Sequence, residues 1–163
     1  MGLFGKSAGA QELKTVANVD LAKYIGKWFE IAAFPQRFER GCNCTTAEYE
    51  MTNKNYVRVT NTCLKGADFK TVSRAIGKAF VVKGSNNAKL KVQFFWPFRG
   101  DYWIIELADD YSYVVVGDPT RKYLWILARQ SRMDQKLYDE IVQRTKEKGF
   151  DVSKLKLANQ TCH

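Results

Sequence analysis

Between residues 26 and 129, apolar and polar side chains alternate along most of the chain, and clusters of Gly, Asn, Asp and Ser interrupt them at short intervals. A period of two belongs to an extended strand with one face buried, and closely spaced turn residues join such strands into antiparallel hairpins. The pattern predicts eight strands, at 28–34, 44–51, 56–63, 71–82, 89–95, 102–107, 113–117 and 123–129. Two of the turns are explicit. Thr52-Asn53-Lys54-Asn55 and Gly84-Ser85-Asn86-Asn87 supply residues that tolerate positive φ. Longer loops are expected at 35–41 and 96–100. Eight up-and-down strands can close on themselves, which removes exposed edges and leaves an interior just wide enough for one small ligand.

Beyond residue 130 the period lengthens. Ser131 and Asp134 have the spacing of a capping box, and Leu137, Tyr138, Ile141, Val142 and Thr145 make an apolar stripe that stops before Gly149. The stripe predicts one amphipathic helix lying on the barrel, with Lys136, Asp139, Arg144, Lys146, Glu147 and Lys148 as its solvated face. A short final strand is expected within 154–158. The fold class is therefore all-β: an eight-stranded up-and-down antiparallel barrel with one C-terminal α-helix packed on the outside.

The first and last strands carry a matching pair. Gly26-Lys27-Trp28 opens the first, followed by Phe29-Glu30-Ile31-Ala32, and Tyr123-Leu124-Trp125-Ile126-Leu127-Ala128-Arg129 forms the last. The Trp28 indole is expected to plug one end, with the Arg129 guanidinium across its outer face. Such a cation–π contact is worth about 0.5–2 kcal/mol. Taken with the order of elements between them, this pair resembles the lipocalins, cup-shaped carriers of small apolar molecules. The likeness runs from Asp20 to Thr161. Of the family's three signature stretches, Gly26–Glu30 and Leu127-Ala128-Arg129 are present, and the second stands in altered form as Asp109-Asp110-Tyr111. Residues 20–163 then form the lipocalin domain, and 1–19 an N-terminal segment expected to be partly disordered.

Three further stretches are similar to the subgroup comprising bacterial outer-membrane lipocalins, plant temperature-induced lipocalins and apolipoprotein D. They are Phe34-Pro35-Gln36-Arg37-Phe38-Glu39-Arg40-Gly41, the run from Gly117-Asp118-Pro119 to Leu127, and Gly149-Phe150-Asp151-Val152-Ser153-Lys154-Leu155. The resemblance implies binding of fatty acid or lysophospholipid and a part in membrane maintenance under stress. It also implies a disulfide between Cys44 and Cys162, and with it Cys42–Cys63. The second bridge suits a hairpin in which Tyr49 faces Tyr56, a register at odds with inward-facing Val57 and Val59 unless a bulge intervenes.

In a cup, alternate side chains face the cavity. The candidates to line it are Tyr49, Met51, Val57, Val59, Phe80, Phe94, Ile105, Val114 and Trp125, joined by Ala47, Ile76 and Val92, with Asn61 as a polar group among them. The resemblance favours Tyr49, Phe94 and Trp125 as pocket walls. The mouth is expected to carry Arg37, Arg40, Arg99 and Arg121, with Lys65, Lys70 and Lys122 beside them. A cationic rim over an apolar cup complements a carboxylate or phosphate on an acyl chain. Trp96, Pro97 and Phe98 form either an exposed apolar tip or a lid.

Composition narrows the functions. Lys and Arg outnumber Asp and Glu by 26 to 17, a formal charge of +9, yet the basic residues are scattered and form no nucleic-acid module, so no nucleic-acid partner is expected. Anionic membrane surfaces remain candidate partners. Four cysteines suit two disulfides in an oxidising, extracytoplasmic compartment: periplasm, outer membrane or secreted. No signal peptide is visible: residues 1–14 lack a long apolar core, a lipobox cysteine and a good myristoylation match. Cys-x-Cys spacing and a single terminal histidine, His163, argue against a structural metal and against a hydrolytic triad, and no cofactor is expected. The expected function is thus a lipid carrier and not an enzyme. The alternatives are a carrier of a pigment, retinoid or other ring-shaped ligand, or an interaction protein, with a homodimer as a candidate state.

Overall fold

The computed structural model describes residues 11–95 and 98–163. Nine strands form one sheet: β1 (Gly26–Ala33), β2 (Asn43–Met51), β3 (Val57–Lys65), β4 (Thr71–Val81), β5 (Lys89–Phe95), β6 (Phe98–Leu107), β7 (Tyr113–Gly117), β8 (Leu124–Ala128) and β9 (Lys156–Leu157). Strands β1 to β8 pair antiparallel in sequence order, and β1 pairs with both β2 and β8, so the eight close into an up-and-down barrel. The ninth adds outside the closure, on β1 at Ala32 and Ala33. A short helix, α1 (Leu21–Tyr24), precedes β1 across one end of the barrel, and α2 (Gln135–Glu147) follows β8.

Two apolar layers result, one on each face of the sheet. The inner layer centres on Trp28, Tyr49, Val59, Leu90, Ile104, Val114, Val116 and Leu127. The outer layer forms where α2 covers part of the barrel: Ile141 meets Ile105, Val115, Leu124, Ile126 and Phe150. Asp134, and not Ser131, caps this helix, its carboxylate accepting from Leu137 N at 3.1 Å. Gly149 ends it at φ +95°, where a Cβ would strike Arg121 Nε at 2.8 Å. A second attachment is electrostatic. Glu106 on β6 accepts from Arg144 Nε at 3.0 Å and Nη2 at 2.8 Å, and from the Tyr113 hydroxyl at 2.8 Å.

The base of the barrel is held by Arg129. Its guanidinium lies 3.8 Å from the centre of the Trp28 ring and donates to the carbonyls of Lys23, Tyr24, Ile25, Lys27 and Tyr111. Five carbonyls from α1, β1 and the β7 approach thus converge on one cation. Gly26 makes this approach possible: it adopts φ +103°, and a Cβ there would stand 3.2 Å from Arg129 Nη1. Trp28 Nε1 donates to Tyr24 O at 2.9 Å, so the plug has no orphan donor.

Described residues of the N-terminal segment pack against the barrel, Leu13 in the outer layer and Val16 and Val19 in the inner one. Leu13 and Val19 are buried, and Val16 N bonds Ile104 O while Val19 N bonds Asn86 O. Residues 1–10, most of the stretch 1–14 weighed above for a leader or lipid, lie outside the described residues. Both disulfides are formed, Cys42–Cys63 and Cys44–Cys162, with Cα atoms 5.3 and 6.2 Å apart. The hairpin register is not Tyr49 to Tyr56 but Tyr49 to Val59, which keeps Val57 and Val59 inward. It shifts between Asn43 and Thr46, where Cys44 takes φ +57°, and that bulge brings Cys42 within reach of Cys63.

Replacing Arg129 with Ala should lower stability by about 2–4 kcal/mol, the sum of a cation–π contact and several charged hydrogen bonds. The melting temperature should then fall by about 5–12 °C, with the order of preference among ligands unchanged in parallel titrations.

The Glu106 clamp should respond to acid. Burial alone would raise this carboxyl, but the hydrogen bonds from Arg144 and Tyr113 outweigh it and hold the group below its ordinary value. Its stabilisation is present above the ordinary glutamate range of about 4.3 and is lost as pH falls through the lower folded value. Acid titration of wild type should show helix detachment in that window, and Glu106→Gln should lack the transition.

Candidate functional site

The register assigns the inner face. Trp28, Ala47, Asn61 and Ala75 form one row across β1 to β4, and Tyr49, Val59 and Gly77 form the next toward the base. The two halves of the barrel differ in how these rows are filled.

Near the base the interior is packed. Three phenols meet there: the Tyr24 and Tyr102 hydroxyls are 2.5 Å apart, and those of Tyr49 and Tyr102 2.8 Å. Each hydroxyl thereby finds a partner inside an apolar layer, as buried polar groups require. Burial holds all three phenols un-ionised; the Tyr49 hydroxyl is pushed up to about 12, and those of Tyr24 and Tyr102 lie well above their ordinary value. Val57, Ala79, Leu90 and Ile104 enclose what remains, a cavity of about 10 Å³. That is room for one water at most.

Toward the loops the same inner face is wet. Asn61, Ser73, Phe94 and Trp125 are only half-buried, and Ala75, Gly100 and Tyr123 are exposed. A barrel sealed at both ends would bury them, so solvent enters from the end opposite Trp28. Tyr123 stacks on Trp125 with ring centres 6.1 Å apart and planes 10° from parallel, giving this half an aromatic wall.

A carboxyl pair sits beside that wall. Glu30 lies opposite Leu127 on the inner face of β1 and is 8% exposed. The carboxyl of Glu39, from the short 3-10 turn Arg37–Glu39, packs against it and accepts from Trp125 Nε1 at 3.3 Å. Burial, reinforced by the adjacent Glu39, raises the Glu30 carboxyl well above its ordinary value. The loop between β1 and β2 is thereby tied into the barrel by Glu39, against Glu30 and Trp125.

The expected lining residues scatter over three environments. Tyr49, Val57, Val59 and Val114 lie on the inner face within the packed half, with Ala47 and Val92 nearby. Phe94 and Trp125 lie in the wet half. Three of the nine do not face the barrel cavity, and neither does Ile76. Met51 is inward by register but sits at the rim of the base, 53% exposed. Phe80 points outward, against Tyr56 and under Arg99. Ile105 packs on α2, because a bulge between Ile104 and Glu106 turns it out. Ile76 is on the outer face and 60% exposed.

The expected rim divides in the same way. Arg37 and Arg40 are exposed on the loop after β1, and Lys70 and Lys122 are exposed at the same end. Arg99 covers Phe80 on the outer wall, 4.0 Å from its ring centre. Arg121 is drawn away by Lys148 O and Gln11 O and lies over Phe150. Trp96, Pro97 and the Phe98 side chain lie outside the described residues.

A closed barrel, plugged at one end and open to water along an aromatic wall at the other, is the build of a small-ligand binding protein. The lipocalin-like domain family matches residues 19–160. The chain is 38% identical over 148 residues to the outer membrane lipoprotein Blc of Vibrio cholerae, covering 89% of this chain and 85% of that protein. It is 34% identical over 154 residues to temperature-induced lipocalin-1 of Arabidopsis thaliana, covering 89% and 81%. Its fold superposes on that of insecticyanin from the tobacco hornworm Manduca sexta with a TM-score of 0.73 at 22% identity, over 91% of this chain and 85% of that one. The chain belongs to the lipocalin-like family, whose members are carriers of small hydrophobic ligands.

Glu30 and Tyr102 escaped the sequence reading, although Glu30 stands two residues from Trp28 and so shares its face. Raising the pH should loosen the loop that Glu30 and Glu39 help to hold. The stabilisation from the protonated Glu30 carboxyl is full below the ordinary glutamate range of about 4.3 and is lost as pH rises through its higher folded value. Trp125 emission should shift over that range, and Glu30→Gln, which removes the titrating group, should flatten the profile.

Proposed function

We propose that the protein carries a fatty acid or lysophospholipid, with the acyl chain in the wet half of the barrel and the head group at the loop end. The observation that carries this reading is the contrast between the two halves: the base is filled, whereas aromatic and apolar inner-face residues remain open to solvent above it. Such surface gains from contact with hydrocarbon. Each buried methylene contributes about 0.8 kcal/mol, so a few outweigh an exposed ion pair worth about 0–1 kcal/mol. Hydrocarbon sets affinity, and Arg37, Arg40, Lys70 and Lys122 set the orientation of an anionic head.

The packed base adds a constraint. A tail that reaches past Asn61 meets the layer of Tyr24, Tyr49 and Tyr102, so depth of entry is limited unless that layer yields. Relatedness to an outer membrane lipoprotein supports work at or near a membrane. The two disulfides support an oxidising, extracytoplasmic setting. The likeness to insecticyanin, at 22% identity, speaks for the fold and not for a pigment.

Trp125→Ala should weaken binding of a fluorescent fatty acid by about tenfold, the scale of a lost aromatic wall, while far-UV circular dichroism stays the same. Unchanged titration curves would remove Trp125 from the site. Mass spectrometry of protein purified from its own source should show a lipid-range mass.

A further inference from the structure

The outer wall holds a second concavity, which Phe94 of the wet half backs from the inner face. The ladder between β4 and β5 ends at the pair Lys78 and Gln93. Beside that pair lies a groove of about 250 Å³ lined by Tyr56, Arg58, Ile76, Lys78 and Gln93, with Gly77 and Phe94 at its back. The register places Arg58, Lys78 and Gln93 side by side on the outer face, since Arg58 pairs with Lys78 and Lys78 with Gln93.

Gln93 is the informative residue. It is only 8% exposed, and among the described residues its Nε2 has no hydrogen-bond partner. A buried amide donor without an acceptor is costly and rare in native proteins. The groups around it make the missing acceptor anionic: the lining carries two cations and no carboxylate. Glu50, opposite Arg58 on β2, is outside that lining. The remaining walls are apolar. Ile76 is 60% exposed, an unusual cost on an outer strand face, and the Tyr56 ring is fixed beneath Lys78 Nζ at 4.9 Å.

We propose that this groove binds the anionic head of an amphiphile, a phosphate or carboxylate. Gln93 Nε2 donates to it, Arg58 and Lys78 neutralise it, and its first methylenes lie on Ile76 and Tyr56.

Octyl phosphate and inorganic phosphate, titrated into the full chain with the Gln93 amide and the Trp125 indole followed by NMR, test it. Octyl phosphate should shift the Gln93 side-chain resonances saturably. Inorganic phosphate, lacking the stem, should act on the same resonances about tenfold more weakly. Arg58→Gln, at an exposed position, should weaken octyl phosphate by about tenfold at Gln93, as loss of a charged hydrogen bond does, and leave the Trp125 response alone. Gln93→Met, which keeps the volume and removes the donor, should weaken the response of neighbouring Lys78 and Ile76 amides similarly. Retention on phosphatidylglycerol vesicles that Arg58→Gln abolishes would identify the source as a membrane head group. Binding without retention would identify a free amphiphile. A Trp125 response with Gln93 unmoved would overturn the proposal. So would equal affinity for the two phosphates, or variants that bind like wild type.

Discussion

The structure depends on one cation laid over one indole. Arg129 comes from the end of the last barrel strand, and Trp28 from the start of the first, a hundred residues earlier. Their contact, with the five carbonyls that the guanidinium also engages, holds β1 between β2 and β8. Closure is what gives the sheet an inside. Once β1 is placed, every row of inner positions follows from the ladders, and so does the division of the interior into a dry base and a wet upper half. The carbonyls matter as much as the ring, because through them one guanidinium gathers the end of α1 and the start of β1.

The two halves solve opposite problems. At the base, bulky side chains must fill a circle of eight strands, and three phenols do so while satisfying one another's hydroxyls. Polar groups so buried favour a single arrangement, since any slip leaves one of them unpaired. Near the loops the barrel keeps room by using small or polar inner residues, Ala75, Ser73, Asn61 and Gly100, opposite the Trp125 and Tyr123 wall. Glu39 then tethers the adjoining loop by packing on the buried Glu30 carboxyl and accepting from the Trp125 indole.

Much of this was legible in the sequence. Alternation placed all eight strands, those at 89–95 and 113–117 to the residue, and the change of period placed α2. The closing pair and both disulfides were also foreseen, through a family resemblance. Facing was harder where both sides of a strand are covered. Ile104 and Ile105 are both apolar because one meets the barrel interior and the other α2, so alternation carries no information there and only the bulge decides. Ile76 and Phe80 mislead for another reason: they are apolar on an outer wall, one bare and one under Arg99. Arg121 looked like a rim residue because it lies in a loop at the right end, but the helix terminus at Lys148 offers it a carbonyl.

The irregularity at Cys44 separates the β2–β3 ladder into two registers. Below Thr46, β2 and β3 pair in one alignment; above it, at Asn43 and Leu64, they pair in another, and the offset is pinned by Cys44 N on Asn159 O and by both cystines. Because side chains alternate, a one-residue slip in a strand exchanges its two faces. An insertion or deletion beyond the offset can be taken up there without reaching the tyrosine layer. The loop end is therefore free to change length and shape while the floor of the cup stays in step.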